Sequence, residues 1–229
     1  MTTPVPKGYL NFVSSDGVSG PTILRSQWSY GSPVAGDVLY VLINNTQGST
    51  VPVTGWDPVR FQASAGGFSY QLYKRVASGT TSDNFATTDS IYQAAGIAFP
   101  GGVVEDYTSG NWMNTSGPFT ITANGGGALT SSDGLLVYMS FSLEWENMDL
   151  PVYTAPAGMV PGRSAAVPGP LFPVSANISI QTLSSSANPG SRTGAVSGMV
   201  QDTYAAAAML VFKDNSAPAS SALGWGLGI

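Results

Sequence analysis

The chain has 229 residues, with eight Lys and Arg against thirteen Asp and Glu, a formal net charge of -5, and neither His nor Cys. Only 9% of its residues are charged, against about 25% in an ordinary soluble domain. These totals exclude disulfides, thiolate metal sites and catalysis through a His base, and the scattered basic residues form no clustered face for nucleic acid.

The surface must therefore be built from Ser, Thr, Asn, Gln and Gly, which suits a protein packed against neighbours or exposed outside a cell. The first residues, Met1-Thr2-Thr3-Pro4-Val5-Pro6-Lys7, lack the basic segment and apolar core of a secretory signal. No run approaches the roughly 18 consecutive apolar residues of a membrane helix. Assembly in a cytoplasm is expected, and a virus particle reconciles that origin with a surface suited to the outside.

Residues 1–21 read as an N-terminal arm and a first turn at Ser15-Asp16-Gly17. Gly36-Asp37 then opens Val38-Leu39-Tyr40-Val41-Leu42-Ile43, which ends at Asn44-Asn45. This run is apolar on both faces, as expected of a strand buried between two layers. After the turn Ala65-Gly66-Gly67, a strand places Phe68, Tyr70, Leu72 and Val76 on one face. Ser69, Gln71, Tyr73 and Arg75 lie opposite. Lys74 falls on the apolar face, so the strand is expected to reach solvent or twist there.

Residues 108–114, Thr-Ser-Gly-Asn-Trp-Met-Asn, read as a polar loop carrying an aromatic. Residues 119–122 read as a short strand, and Gly125-Gly126-Gly127 and Ser132-Asp133-Gly134 as turns. The clearest alternation runs over 135–146. Leu135, Val137, Met139, Phe141, Leu143 and Trp145 point one way; Ser140, Ser142, Glu144 and Glu146 point the other.

Segment 151–173 carries Pro151, Pro156, Pro161, Pro168, Pro170 and Pro173. Proline cannot donate to a sheet ladder, so this is expected to be an extended excursion rather than a strand. Residues 178–181 form another short strand and 204–212 a last one. The four alanines of that last strand favour helix, but their thin side chains would let another layer approach closely. The apolar tail, with Leu223, Trp225, Leu227 and Ile229, should not float in water and reads as a C-terminal arm over 215–229.

Together these elements imply an all-β chain: an antiparallel β-sandwich, jelly-roll-like, with extended terminal arms. A single domain spans 22–214.

Four short motifs recur in an order shared with a known group: Gly36-Asp37-Val38-Leu39, Pro52-Val53-Thr54-Gly55-Trp56, Tyr73-Lys74-Arg75-Val76-Ala77 and Asp133-Gly134-Leu135-Leu136-Val137. The series resembles β-sandwich structural proteins of tailed-bacteriophage virions, including minor tail, fibre-associated and head-decoration components. It covers roughly residues 22–145 and resumes around 192–213. The proline-rich excursion and the Gly-Trp tail lie outside it. The resemblance implies a virion location and a structural role, with no catalytic residues to carry over.

Few residues are candidates for chemistry. Glu144 and Glu146 lie two apart on one strand face, a geometry open to a glycosidase pair, but a solvated strand end is the better reading. Glu105 and Asp106 project to opposite sides if extended. Glu144, Glu146, Asn147 and Asp149 are the densest oxygen-ligand group for calcium, without the spacing of a calcium loop. No metal or other cofactor is expected, and no enzyme.

Trp28, Tyr30, Trp56, Tyr92, Tyr107 and Trp112 could stack on sugars, although most aromatics in a sandwich are core. Trp112, with Asn111 and Asn114, is the candidate ligand or subunit contact, because an aromatic in a polar loop often marks one. The candidate subunit interface is Pro161, Pro168, Pro170, Leu171, Phe172, Leu223, Trp225, Leu227 and Ile229. The expected partners are copies of the chain and other virion proteins of capsid or tail, with a host-surface glycan as the alternative, and neither nucleic acid nor membrane.

Overall fold

The computed structural model describes residues 3–45, 51–63, 69–115, 119–123, 133–143, 150–168, 173–184, 187–198 and 203–214. In chain order its strands are β1 (Gly8–Ser19), β2 (Thr22–Ile23), β3 (Val38–Asn45), β4 (Asp57–Ala63) and β5 (Ser69–Val76). Next come β6 (Phe85–Ala86), β7 (Ser90–Phe99), β8 (Val103–Thr115), β9 (Phe119–Ala123) and β10 (Gly134–Leu143). The last are β11 (Val152–Thr154), β12 (Val160–Val167), β13 (Val174–Leu183), β14 (Arg192–Ser197) and β15 (Thr203–Asp214). Short 3-10 turns lie at Arg25–Gln27 and Thr81–Asp83.

The fold is all-β, with two packed antiparallel sheets, as the alternation and Gly-rich turns imply. The first sheet has five strands in the order β1-β7-β3-β5-β4, and the second five in the order β12-β13-β10-β15-β8. A smaller sheet, β11-β14-β9, and a two-stranded ribbon, β2-β6, complete the described strands.

Strand periodicity explains how these pieces stack. On β3, Val38, Tyr40 and Leu42 enter the core between the two main sheets, while Leu39, Val41 and Ile43 enter a second cluster on the outer face. That cluster is covered by Trp28, Val51, Val53, Trp56 and Phe85, which come from loops and the ribbon. On β10, Leu135, Val137, Met139 and Phe141 face the inner core, as expected. The opposite face is also buried, because Leu136 and Tyr138 pack with Ile121 of β9 and Val196 of β14. Both main sheets are therefore covered on both sides, which the sequence reading foresaw for β3 alone.

The alanine-rich strand β15 runs between β10 and β8. Ala206, Ala208, Leu210 and Phe212 enter the inner core, and Ala205, Ala207, Met209 and Val211 the outer cluster beneath the small sheet. Its helix propensity is overridden by pairing on both sides, and the small side chains admit a close layer as foreseen.

Polar groups pin the two main sheets together at both ends of the inner core. Gln93 of β7 donates to the Ser142 carbonyl at 2.6 Å and the Ser175 carbonyl at 3.2 Å, and Asn11 of β1 donates to the Ala176 carbonyl at 3.0 Å. At the other end the Tyr40 hydroxyl donates to Glu105 at 2.6 Å. Each crossing satisfies a buried polar atom that would otherwise cost about 1–3 kcal/mol.

Three expectations are corrected. Residues 8–19, read as arm and turn, form β1, and Ser15-Asp16-Gly17 falls at a register shift between Val13 and Val18 rather than in a turn between strands. Gly17 takes φ 64 there, with the Tyr92 ring against its Cα, so the bulge needs a residue without Cβ. Segment 151–173 contains strands β11 and β12. Pro161 sits in β12 because that strand is a sheet edge, where a missing N–H breaks no ladder. Residues 108–114 lie within β8 rather than in a loop. A strand of polar, uncharged residues lacks the apolar alternation by which strands are recognised.

Candidate functional site

The residues singled out for chemistry do not converge. Glu144, Glu146, Asn147 and Asp149 lie outside the described residues. Glu105 is half-buried on β8, where it accepts the Tyr40 hydroxyl and lies 3.8 Å from Lys74 Nζ. Lys74 also sits over the Tyr40 ring at 5.7 Å, which is why it occupies an apolar face: its stem packs inward and its charge meets Glu105. Burial pushes the Tyr40 hydroxyl well above its ordinary range, and the hydrogen bond to Glu105 pushes it further. Tyr40 is thus held as a proton donor to a carboxylate, a role suited to fastening rather than nucleophilic attack.

Asp37 and Asp83 are the buried carboxylates among the described residues; Asp37 is held by Lys7 at 2.8 Å. For Asp83 the partners are more numerous. It accepts from the Ser78 amide at 2.8 Å, the Ser78 hydroxyl at 2.8 Å, the Gly79 amide at 2.7 Å and Arg75 Nε at 3.1 Å. Burial alone would raise its pKa, but these hydrogen bonds outweigh burial and hold it below the usual carboxylate range. Its partners are its own loop and Arg75 of β5. Among the described residues no group of three or more acidic side chains is placed to hold a metal.

Of the aromatic candidates, Trp28 and Trp56 are core. Trp28 lies over β7 where Gly96 leaves room; a Cβ there would come within 2.8 Å of the indole. Trp56 donates its indole N–H to the Asn84 carbonyl at 3.0 Å and meets Phe85 edge-on. Tyr92 is half-buried. Tyr30 differs: it is 81% exposed, holds φ 64, and meets Tyr9 edge-on with ring centroids 6.2 Å apart. A left-handed backbone is uncommon for a residue with a Cβ, and its signal is invisible in the sequence.

Asn111, Trp112 and Asn114 pair through β8 with Ala207, Ala206 and Tyr204 of β15. The side chains of Tyr107, Asn111, Trp112 and Asn114 lie outside the described residues. Pro161 and Pro168 are exposed at and just beyond the β12 edge. Pro170, Leu171, Phe172, Leu223, Trp225, Leu227 and Ile229 lie outside the described residues.

What the described surface does offer is apolar side chains and open strand edges. Val5, Leu24, Tyr30, Val34, Val76, Val152 and Val160 are all exposed. Thr3, Pro4, Val5, Pro100, Gly101, Val103 and Asp214 line an open cleft of about 270 Å³. Asp214 closes β15.

No known family matches the chain. No curated protein matches it either. Among solved structures it is similar to one titled "Structure of infectious bursal disease virus Gx strain", at 10% identity over 93% of this chain and 78% of that one, with a TM-score of 0.14. A likeness of that size decides nothing about fold or function.

Proposed function

We propose that this chain is a non-enzymatic structural component of a tailed-phage virion, a head-decoration or cement protein or another accessory component that adheres to neighbouring subunits. The observation that carries this reading is the double covering of both main sheets combined with exposed apolar residues at edges and loops. Such a frame is rigid, and what it presents outward is adhesive rather than reactive. Apolar contact gains about 25 cal/mol per Å² before association costs, so edges and arms can bind without enlarging the core. In this reading the sandwich is jelly-roll-like and residues 215–229 act as an arm, with Pro161 and Pro168 contributing from the β12 edge.

Deletion of 215–229 tests it. The truncated chain should keep its β-sheet circular dichroism and lose assembly with virion partners. A truncated chain that assembles like the full one removes the arm from the account.

One observation favours a second reading, a glycan- or receptor-binding module. Tyr30 presents a nearly bare ring from a backbone conformation that costs on the order of 1–3 kcal/mol, and such outliers gather at functional sites. A glycan screen with Tyr30→Ala and Trp112→Ala separates a sugar contact from a packing role: binding lost with either variant supports this reading, and an empty screen removes it.

A further inference from the structure

The sheet edges are finished in different ways. An unpaired edge offers a row of free N–H and C=O groups, and proteins normally blunt it with proline, charge, bulges or cover. β4 carries Pro58, Asp57, Arg60 and a register shift between Pro58 and Arg60. β12 carries Pro161 and a shift between Pro161 and Arg163. β1 carries Asp16 and the bulge between Val13 and Val18. These last two edges also cover each other, since Gly162 of β12 lies against the Tyr9 ring of β1. The small sheet ends in the short strands β9 and β11.

β8 is the exception. Among the described strands it pairs with β15 alone and closes one side of the second sheet. Its one irregularity, between Val211 and Phe212 of the partner strand, falls at Glu105-Asp106 near its start. From there residues 107–115 read Tyr-Thr-Ser-Gly-Asn-Trp-Met-Asn-Thr, with no charge and no proline. This stretch is longer than the mean strand of about 5–6 residues and pairs in unbroken register on its inner side.

We infer that the edge of β8 left unpaired among the described strands is a self-association site, pairing antiparallel with β8 of a second copy about a two-fold axis to join two second sheets into one. The occupant follows from charge. An antiparallel two-fold pair sets each residue opposite its mirror position, so any charge near the axis would face its own copy. Here the segment near the axis is uncharged. With Asn111 on the axis, Tyr107 faces the partner's Thr115, and Glu105 and Asp106 fall beyond the partner's strand end. Any axis between 109 and 113 likewise sets no acidic residue opposite another. Glu105 is already held by Tyr40 and Lys74. The segment meets a second copy of itself without repulsion, although the chain carries a net charge of -5. The inference stands apart from the virion reading, since it concerns only the pairing of this chain with itself.

The absence of Cys makes the test direct. Single cysteines placed in turn at 108, 109, 110, 111, 112 and 113 each give a chain with one thiol, oxidised with copper-phenanthroline and read on a non-reducing gel. The expected result is covalent dimer that peaks at one position and falls away on both sides, several times faster than for Phe61→Cys on the exposed β4 edge. Uniform cross-linking, or none above the β4 control, overturns the inference. Charge supplies an independent arm on the full chain. Asn111→Lys and Asn111→Asp, each checked for β-sheet circular dichroism, should sediment as monomers alone and as a dimer when mixed. If both variants dimerise as well as the parent, the edge is not the contact. If the parent is monomeric and dimerises only when 215–229 is removed, the tail of the same chain is the occupant and the inference fails. Dimer loss in the Asn111 variants occurs with 215–229 intact, so it is distinguishable from failure of the arm.

Discussion

The outer faces of the two main sheets solve one problem in opposite ways. The first sheet is covered by large rings from loops and the ribbon: Trp28 sits over Gly96 of β7, and Trp56 and Phe85 pack edge-on with each other, with Phe85 also meeting Tyr73 of β5. The second meets its cover through Leu136, Tyr138, Met209 and Val211 and is built small along the rest of that face. Ala205 and Ala207 of β15 lie beside Ser140 and Ser142 of β10, and Ser175 and Asn177 of β13 continue the pattern. These polar side chains bond one another across strands: Ser142 with Ser175, and Asn177 with Ser140 and Ser164. One face gains its density by adding bulk from outside, the other by removing bulk from within. Both reach close packing, but they should fail in opposite directions when side-chain volume is changed.

Alkali should break both faces together, and this is the largest effect expected. Burial pushes Tyr73 on the first sheet's outer face and Tyr153 on the second's up to about 12, with Asp89 adding to the effect at Tyr73. Tyr9 and Tyr70 in the inner core are also raised to about 12 by burial. Because the folded pKa exceeds the unfolded value of about 10, the stabilisation is complete below pH 10 and is lost as pH rises toward 12. Circular dichroism and tyrosinate absorbance should therefore change together within that window. Ionisation of any of these four buried rings near pH 10 in a still-folded chain would contradict the packing.

Volume changes then separate the two faces. Trp28→Ala should cost about 3–5 kcal/mol, since the ring leaves a void over Gly96. Ala207→Leu should cost about 1–3 kcal/mol in the opposite sense, by overfilling a thin contact. Denaturant melts of the two variants measure both, and a neutral Ala207→Leu would mean the small sheet does not press on β15. Tyr138→Phe sharpens the comparison at lower amplitude. The hydroxyl donates to the Ile121 carbonyl at 2.7 Å and accepts from the Gly194 amide at 3.3 Å, tying β10 to the small sheet. Its loss should cost about 1–3 kcal/mol and speed hydrogen exchange in β9 and β14 first. Smallest of all, Val160→Ser on the exposed β12 edge should change stability by no more than about 0.5 kcal/mol.

The strands legible in the sequence are those with an apolar face or two: β3, β5, β10, β13 and β15 show the alternation or the continuous run expected of buried strands. What stayed hidden has a physical reason in each case. β7 holds Ala94, Ala95 and Gly96, weak strand formers whose value lies in the room they leave for Trp28. Residues 107–115 of β8 carry no charge and little apolar alternation, so they resemble a loop, and β12 carries a proline that only its edge position permits. Trp28 and Trp56 could not be told from surface rings because their cover comes from loops distant in sequence. Conversely, the exposure of Tyr30 depends on a backbone angle that composition does not encode.

The β8 pairing requires that this chain meet copies of itself. Light scattering of the purified full chain across a range of concentrations tests that requirement most directly. The account predicts a mass of at least two chains that persists on dilution and falls when Asn111 is replaced by Lys. A mass of one chain at every concentration would contradict it.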